Sequence, residues 1–185
     1  MTGAQVNAIL IGTGTIDTGA GTDTLNITST SADLNTWGAT DALISNLENI
    51  SASAAAAAVT INMSGQTESF SITGSANADT LTGGSGADTI TGGAGADRIS
   101  DLGAGAITIA SGAGADVMEF VSSAHATISD FTIGTDRLVM KGMSLSDIHV
   151  SRSGGNTYVD LDGGGKITLT GISATTTQMQ ISAYS

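Results

Sequence analysis

The sequence predicts an all-β chain wound as a parallel solenoid of short stacked strands. Three observations point there: a nine-residue repeat, single aliphatic residues recurring on the same beat, and an aromatic content of 3% with no proline and no cysteine. The segment 83–100 reads GGSGADTIT and then GGAGADRIS, nearly the same nine positions written twice. At this composition a core of large aromatic anchors is excluded. Stability has to come from stacked small aliphatics, backbone ladders or bound ions.

Written as G-G-x-G-x-D-x-U-x, with U aliphatic, the template is met in full by 83–91 and by 92–100. Residues 74–82, GSANADTLT, depart from it at Ser75 and Asn77, and asparagine tolerates left-handed dihedrals better than most residues. After Ser100 the frame slips by one residue, Asp101. Residues 102–110, LGAGAITIA, resume it with Ile107 where an aspartate belongs, and 111–119, SGAGADVME, recover it with Asp116. The aliphatic positions are then Leu81, Ile90, Ile99, Ile109 and Met118. Backwards, the beat continues at Ile72 and Met63. A further copy, TGAGTDTLN at 18–26, holds Asp23 and Leu25, with Ile16 nine residues before Leu25.

Each unit divides into a loop of six and a strand of three. The glycines allow positive φ without steric cost, so the loop turns tightly with its carbonyls aimed to one side. The aspartate puts a carboxylate at the loop end. The U side chain points inward and its strand neighbours point outward. In a flattened coil, consecutive loops fall on opposite sides, so loops eighteen residues apart are neighbours. Two such loops offer about six oxygens, and calcium takes about six to eight. With no cysteine and two scattered histidines, zinc and copper lack a ligand set.

These residues, above all Gly74–Glu119, resemble the repeats-in-toxin, or RTX, calcium-binding repeats. The resemblance implies a right-handed parallel β-roll with two or more calcium ions between stacked loops, followed by a C-terminal β cap. Carried over residue by residue, one side stacks the loops ending in Asp79, Asp97 and Asp116. It implies sites between Asp79 and Asp97 and between Asp97 and Asp116, with Gly74, Asn77, Gly92, Gly93, Gly95, Gly112 and Gly114 in their loops. The other side carries Gly83, Gly84, Gly86 and Asp88, facing the loop that ends in Ile107. Ile107 breaks the pattern there. Asp101 is the candidate to supply the missing oxygen, against a bulge that merely absorbs one residue. Asp23 is an outlying candidate ligand. The competing reading is a metal-free solenoid whose aspartates only cap turns, in which the stacked carboxylates would repel one another.

Three segments follow from this: 1–73 as a Thr/Ala-rich β-solenoid lead-in, 74–119 as the β-roll, and 120–185 as a C-terminal capping and secretion-signal region. TLNITST and AVTINMSG read as strands, SASAAAAAV as an alanine-faced solenoid turn, and Asp41–Leu47 as a short helix. Trp37 reads as a packing anchor. NTYVDLDGGGKITLTGI reads as a hairpin turning at DGGG, and Asp130, Asp136 and Asp162 as turn formers before calcium ligands. The lead-in ISNLENISAS before GSANADTLTGG resembles that of large bacterial surface-layer and adhesin-like proteins. ISDFTIGTDRL with LDGGGKITLTGI resembles the C-terminal segment of RTX proteins, which carries an uncleaved type I secretion signal.

A formal charge of −12 makes nucleic acid a poor partner and multivalent cations a good one. No run of eighteen apolar residues exists, so no membrane span is expected, and MTGAQVNAILIGTG lacks the features of a secretory signal peptide. His125 and His149 are isolated, and neither H-E-x-x-H nor G-x-S-x-G occurs, so no enzyme is expected. The resemblance implies a calcium-folded, type I-secreted structural protein of the cell surface, of surface-layer kind, from a Gram-negative bacterium. Its partners would be calcium, the secretion machinery, and further copies of itself or a cell-surface polysaccharide. The alternatives are an adhesin solenoid that binds glycan or ice, though its T-x-T rows look irregular along the chain, and the non-catalytic tail of a secreted hydrolase.

Overall fold

The computed structural model describes residues 16–40, 43–101, 103, 105–174 and 179–184. The lead-in holds β1 (Ile16–Asp17), β2 (Thr24–Asn26), α1 (Ala32–Gly38), β3 (Ile44–Ser45) and β4 (Asn49–Ser51). Then come β5 (Thr60–Asn62), β6 (Ser71–Thr73), β7 (Thr80–Thr82), β8 (Thr89–Ala94) and β9 (Arg98–Asp101). They are followed by β10 (Ala106–Ala113), β11 (Val117–Phe120), β12 (His125–Ile128) and β13 (Arg137–Lys141). The chain closes with β14 (Ile148–Ser153), β15 (Asn156–Leu161), β16 (Lys166–Leu169) and β17 (Ile181–Tyr184). No described helix is long and apolar enough to cross a membrane.

From β4 to β13 the chain alternates between two sheets. The larger has the order β14-β15-β16-β12-β10-β8-β6-β4-β2 and the smaller β17-β13-β11-β9-β7-β5; β1 and β3 pair separately. Neighbours from β2 to β13 are parallel, so the molecule is a β-solenoid of the β-roll kind. A three-residue strand exposes one side chain inward, and each unit contributes that one aliphatic. Leu81, Ile99 and Met118 stack in register in the smaller sheet, and Ile72, Ile90 and Ile109 in the larger. All are buried in one continuous core.

Two expectations need correction. Ile61, not Met63, is the inward strand residue of its coil, in register with Leu81. The connections 52–59 and 63–70 are longer than six residues, so the nine-residue beat drifts and Met63 is buried in a loop instead. The short helix also lies earlier than Asp41–Leu47. It starts after Ser31, whose Oγ accepts the Leu34 N–H at 3.1 Å. Residues 44–45 instead pair with β1, and Asn46 turns the chain at φ 56°. Residues 41–42 and the side chain of Trp37 lie outside the described residues. SASAAAAAV is a solenoid turn, with Ala52, Ala55 and Val59 directed inward.

The β5 edge of the smaller sheet and the β12 end of the solenoid's larger sheet are covered. The Asn35 side chain on α1 pairs with the outer edge of β5 as a strand would: Nδ2 donates to Thr60 O at 3.1 Å and Oδ1 accepts the Asn62 N–H at 2.9 Å. Thr30 Oγ1 accepts the Thr60 N–H at 2.8 Å. Such side-chain pairing removes an open edge that would template aggregation. At the other end β16 is parallel to β12 but antiparallel to β15, and the β15–β16 hairpin turns at DGGG as its composition predicts. The antiparallel β14–β15 pair completes the larger sheet.

Outward residues of the larger sheet form a row that the linear sequence conceals. Thr24, Asn49, Ser71, Thr89, Thr108, Thr127 and Thr168 stand opposite one another across seven strands. Irregular loop lengths scatter these residues along the chain, and the sheet register realigns them. Ile99, fully buried, has no slack around it. The Ile99→Ala variant is expected to lose about 2–5 kcal/mol in urea unfolding. Thr91→Ala, on the exposed face, is expected to stay within about 0.5 kcal/mol.

Candidate metal centre

One side of the solenoid is tied together by a ladder of carboxylates. Asp79 Oδ1 accepts the Val59 N–H at 2.7 Å, and Asp97 Oδ1 accepts the Asp79 N–H at 2.8 Å. Asp116 Oδ1 accepts the Asp97 N–H at 2.9 Å, and Asp136 Oδ1 accepts the Asp116 N–H at 3.1 Å. Each rung joins one coil to the next through a charge-assisted hydrogen bond. All four aspartates are at most 1% exposed. The sequence places the first three together; Asp136, read as a turn former, is the fourth rung. Its signal was the TD step in ISDFTIGTDRL, hidden by a loop longer than the template.

The second carboxylate oxygen divides the loops into two kinds. In the closed kind it caps its own loop four residues back. Asp79 Oδ2 accepts the Ser75 N–H, Asp88 Oδ2 the Gly84 N–H at 2.7 Å, and Asp136 Oδ2 the Thr132 N–H at 2.7 Å. In the open kind it has no partner: Asp97 Oδ2 and Asp116 Oδ2 are buried without a hydrogen bond. Among the loops ending in Asp79, Asp88, Asp97 and Asp116, the open two are also those whose glycines take positive φ, 115° at Gly93, 118° at Gly95, 97° at Gly112 and 152° at Gly114. With the backbone turned over at Gly112, its N–H leaves Asp116 and goes to Asp130 Oδ2 at 2.8 Å.

Positive φ is therefore not a property of every glycine in the repeat, nor of Asn77. Gly74, Gly83 and Gly92 answer a different constraint. A Cβ there would lie 2.7, 2.6 and 2.6 Å from Oδ2 of Asp79, Asp88 and Asp97. At Gly84 and Gly86 it would strike the carbonyls of Gln66 and Glu68 at 2.3 and 2.0 Å. At Gly112 and Gly114 it would lie 1.8 and 1.6 Å from the carbonyls of Gly93 and Gly95 in the loop below. The stacked open loops thus face each other through bare backbone. Two orphaned carboxylate oxygens beside turned-over loop backbone fit a hard cation that takes only oxygen.

On the opposite side Asp88 is a structural rung, since its Oδ1 accepts the Phe70 N–H at 2.8 Å. Ile107 takes the next carboxylate position there and is buried, 2% exposed. The side chain of Asp101 lies outside the described residues; its backbone extends β9 opposite Phe120. The N-terminal copy repeats the open pattern. Gly19 and Gly21 take φ 88° and 142°, Asp23 Oδ2 is buried without a partner, and Glu48 Oε2 accepts the Asp23 N–H at 2.8 Å as an aspartate does elsewhere. Glu48 was not read from the sequence, because it stands twenty-five residues on, in a coil without the template. His149 pairs with Asp162 at 2.8 Å on the surface, and His125 Nδ1 contacts Ser123 O at 2.9 Å.

Residues 72–100 match the family model of the RTX calcium-binding nonapeptide repeat (4 copies). The segment from β6 to β9 is therefore an RTX repeat array, a structural calcium-binding unit. Asp116 and Asp23 lie beyond the matched residues. No curated protein matches the chain.

The ladder stores electrostatic stress. Burial, then the neighbouring Asp116 and Asp79 carboxylates, push Asp97 up to about 6 despite the hydrogen bond from the Asp79 N–H. Burial also raises Asp88 and Asp136. A carboxyl whose pKa is higher folded than unfolded binds more protons when folded, so its contribution is present below the unfolded value and is lost as pH rises through the folded one. In chelator, the fold is expected to be more stable near pH 4 than near pH 7, with the change centred between the unfolded value near 4 and about 6. Far-UV circular dichroism in chelator from pH 7 to pH 4 checks this as a gain of β structure toward the acid end, and Asp97→Asn is expected to flatten the dependence.

Proposed function

We propose that this chain is a calcium-folded structural module of a type I-secreted cell-surface protein. The observation that carries the reading is the pair of buried, unpartnered oxygens of Asp97 and Asp116 in loops opened by positive-φ glycines. Asp97 Oδ2, Asp116 Oδ2 and the loop carbonyls of 92–97 and 111–116 would hold one ion. A second would draw on Asp97 and the backbone of the 74–79 loop, and the Asp23 loop supplies a weaker third candidate. Bound calcium supplies the positive charge that the stacked carboxylates lack. The ladder hydrogen bonds hold those carboxylates at fixed spacing, so the loops are preorganised around the ion.

With a net charge of −12, the chain without cations resists compaction. Where calcium is scarce it would stay loose and exportable. Outside the cell, sites of the extracellular class, with dissociation constants of about 0.1–1 mM, would fill and fold it. Calcium bridging of acidic surfaces between copies would then build a surface layer. A second reading, an adhesin, is favoured by the aligned hydroxyl row on the larger sheet. Loss of glycan retention or of ice-growth inhibition in a Thr89→Val, Thr108→Val double variant would support it.

Far-UV circular dichroism from chelator to several millimolar calcium tests the main reading, with light scattering on the same samples. A coil-to-β transition and growing particles are expected. Asp97→Asn and Asp116→Asn are each expected to raise the calcium midpoint about tenfold, which is about 1.4 kcal/mol of binding. Asp88→Asn is expected to move it much less. A complete β spectrum in chelator, with no shift on adding calcium, would sink the proposal.

A further inference from the structure

The outer face of the smaller sheet has the opposite electrostatic character to the rest of the chain. Of five bases in the sequence, three stand on it: Arg98 in β9, and Arg137 and Lys141 in β13. Arg98, Val117 and Arg137 share one register row. Between them Glu119 is 2% exposed; it bonds Arg98, holds Lys141 Nζ at 3.0 Å and accepts from Ser100 Oγ at 3.3 Å. One buried carboxylate thus pins two partly exposed cations, leaving the group with a surplus positive charge. Beside them lies an open cavity of about 380 Å³, continued by Thr60, Asn62, Thr80 and Thr82.

We propose that this cavity binds a linear polysaccharide bearing carboxylate groups. A sugar carboxylate would meet Arg98 and Lys141, and the sugar hydroxyls would meet the Thr and Asn side chains of β5 and β7. Parallel strands present those hydroxyls at steps of about 4.8 Å, which suits a ligand that itself repeats. Among the described side chains, no large apolar residue of the kind that centres protein interfaces is exposed on this face. The exposed large apolar residues, Ile133 and Leu145, lie in connections between strands. A net charge of −12 opposes a polyanion over the molecule as a whole, so binding has to rest on a local cluster of bases such as this one. The inference goes beyond the calcium reading and needs only the strand register of the smaller sheet.

The test is calorimetry of the full calcium-loaded chain with size-defined hyaluronan oligosaccharides, against dextran oligosaccharides of equal length. Hyaluronan is expected to bind, to weaken severalfold as salt rises toward about 1 M, and to outbind dextran. The Arg98→Gln, Lys141→Gln double variant is expected to lose about tenfold in affinity with its calcium-dependent dichroism unchanged. Should that variant misfold, Arg137→Gln is expected to lose about threefold. Equal binding of dextran, no binding by wild type that shows the full calcium transition, or unaltered affinity in the variants overturns the proposal. So does loss of self-association, rather than of sugar binding, in the same variants, which would assign the face to a second copy. Dichroism without sugar reports on the calcium reading separately.

Discussion

One hydrogen bond, repeated, organises this molecule: the backbone N–H at the end of each loop donates to the aspartate of the next coil. From Val59 to Asp136 it runs through four carboxylates on one side of the solenoid. Because the acceptor is charged, each rung is stronger than a neutral pair, and because it lies at the loop end it sets where the next strand begins. The inward aliphatics fall into register as a consequence. The strand ladders set the axial spacing of the coils, and the carboxylate rungs continue that spacing through the loop ends.

The same ladder creates the molecule's main liability. Carboxylates buried at successive rungs repel, and Asp97, with Asp79 below and Asp116 above, bears the most of it. A closed loop relieves the charge by donating a backbone N–H to the second oxygen. An open loop withdraws that N–H and leaves the oxygen without a hydrogen bond, which is where the proposed calcium would sit. A backbone N–H and a cation are therefore alternatives for the same lone pairs, settled loop by loop. Glu119 shows the protein-only solution on the outer face, where two basic side chains do what the loops leave to an ion.

Much of the repeat was legible from residues alone, since two glycines, a third and an aspartate every nine positions describe a turn, a ligand and a stop. Less legible was which copies do the same job. GGSGAD at 83–88 and GGAGAD at 92–97 differ at one position, yet the first is closed on Gly84 and the second is open. Their own residues do not decide this. Loop 92–97 lies beneath the glycine loop 111–116 with Asp116, whereas the coil above Asp88 brings Ile107.

The sequence by itself determined the all-β solenoid, the loop-strand alternation, the inward aliphatics from Leu81 to Met118, and the stacking of Asp79, Asp97 and Asp116. All of these follow from local chemistry on a strict period. The tertiary structure alone decided the roles of Asp136 and Glu48, the placement of α1 over the β5 edge, the hydroxyl row, and the gathering of Arg98 and Lys141 around Glu119 with Arg137 on the same face. Each depends on which coil sits beside which. Once loops depart from six residues, that register is set by packing and by the ladder, and no longer by counting along the chain.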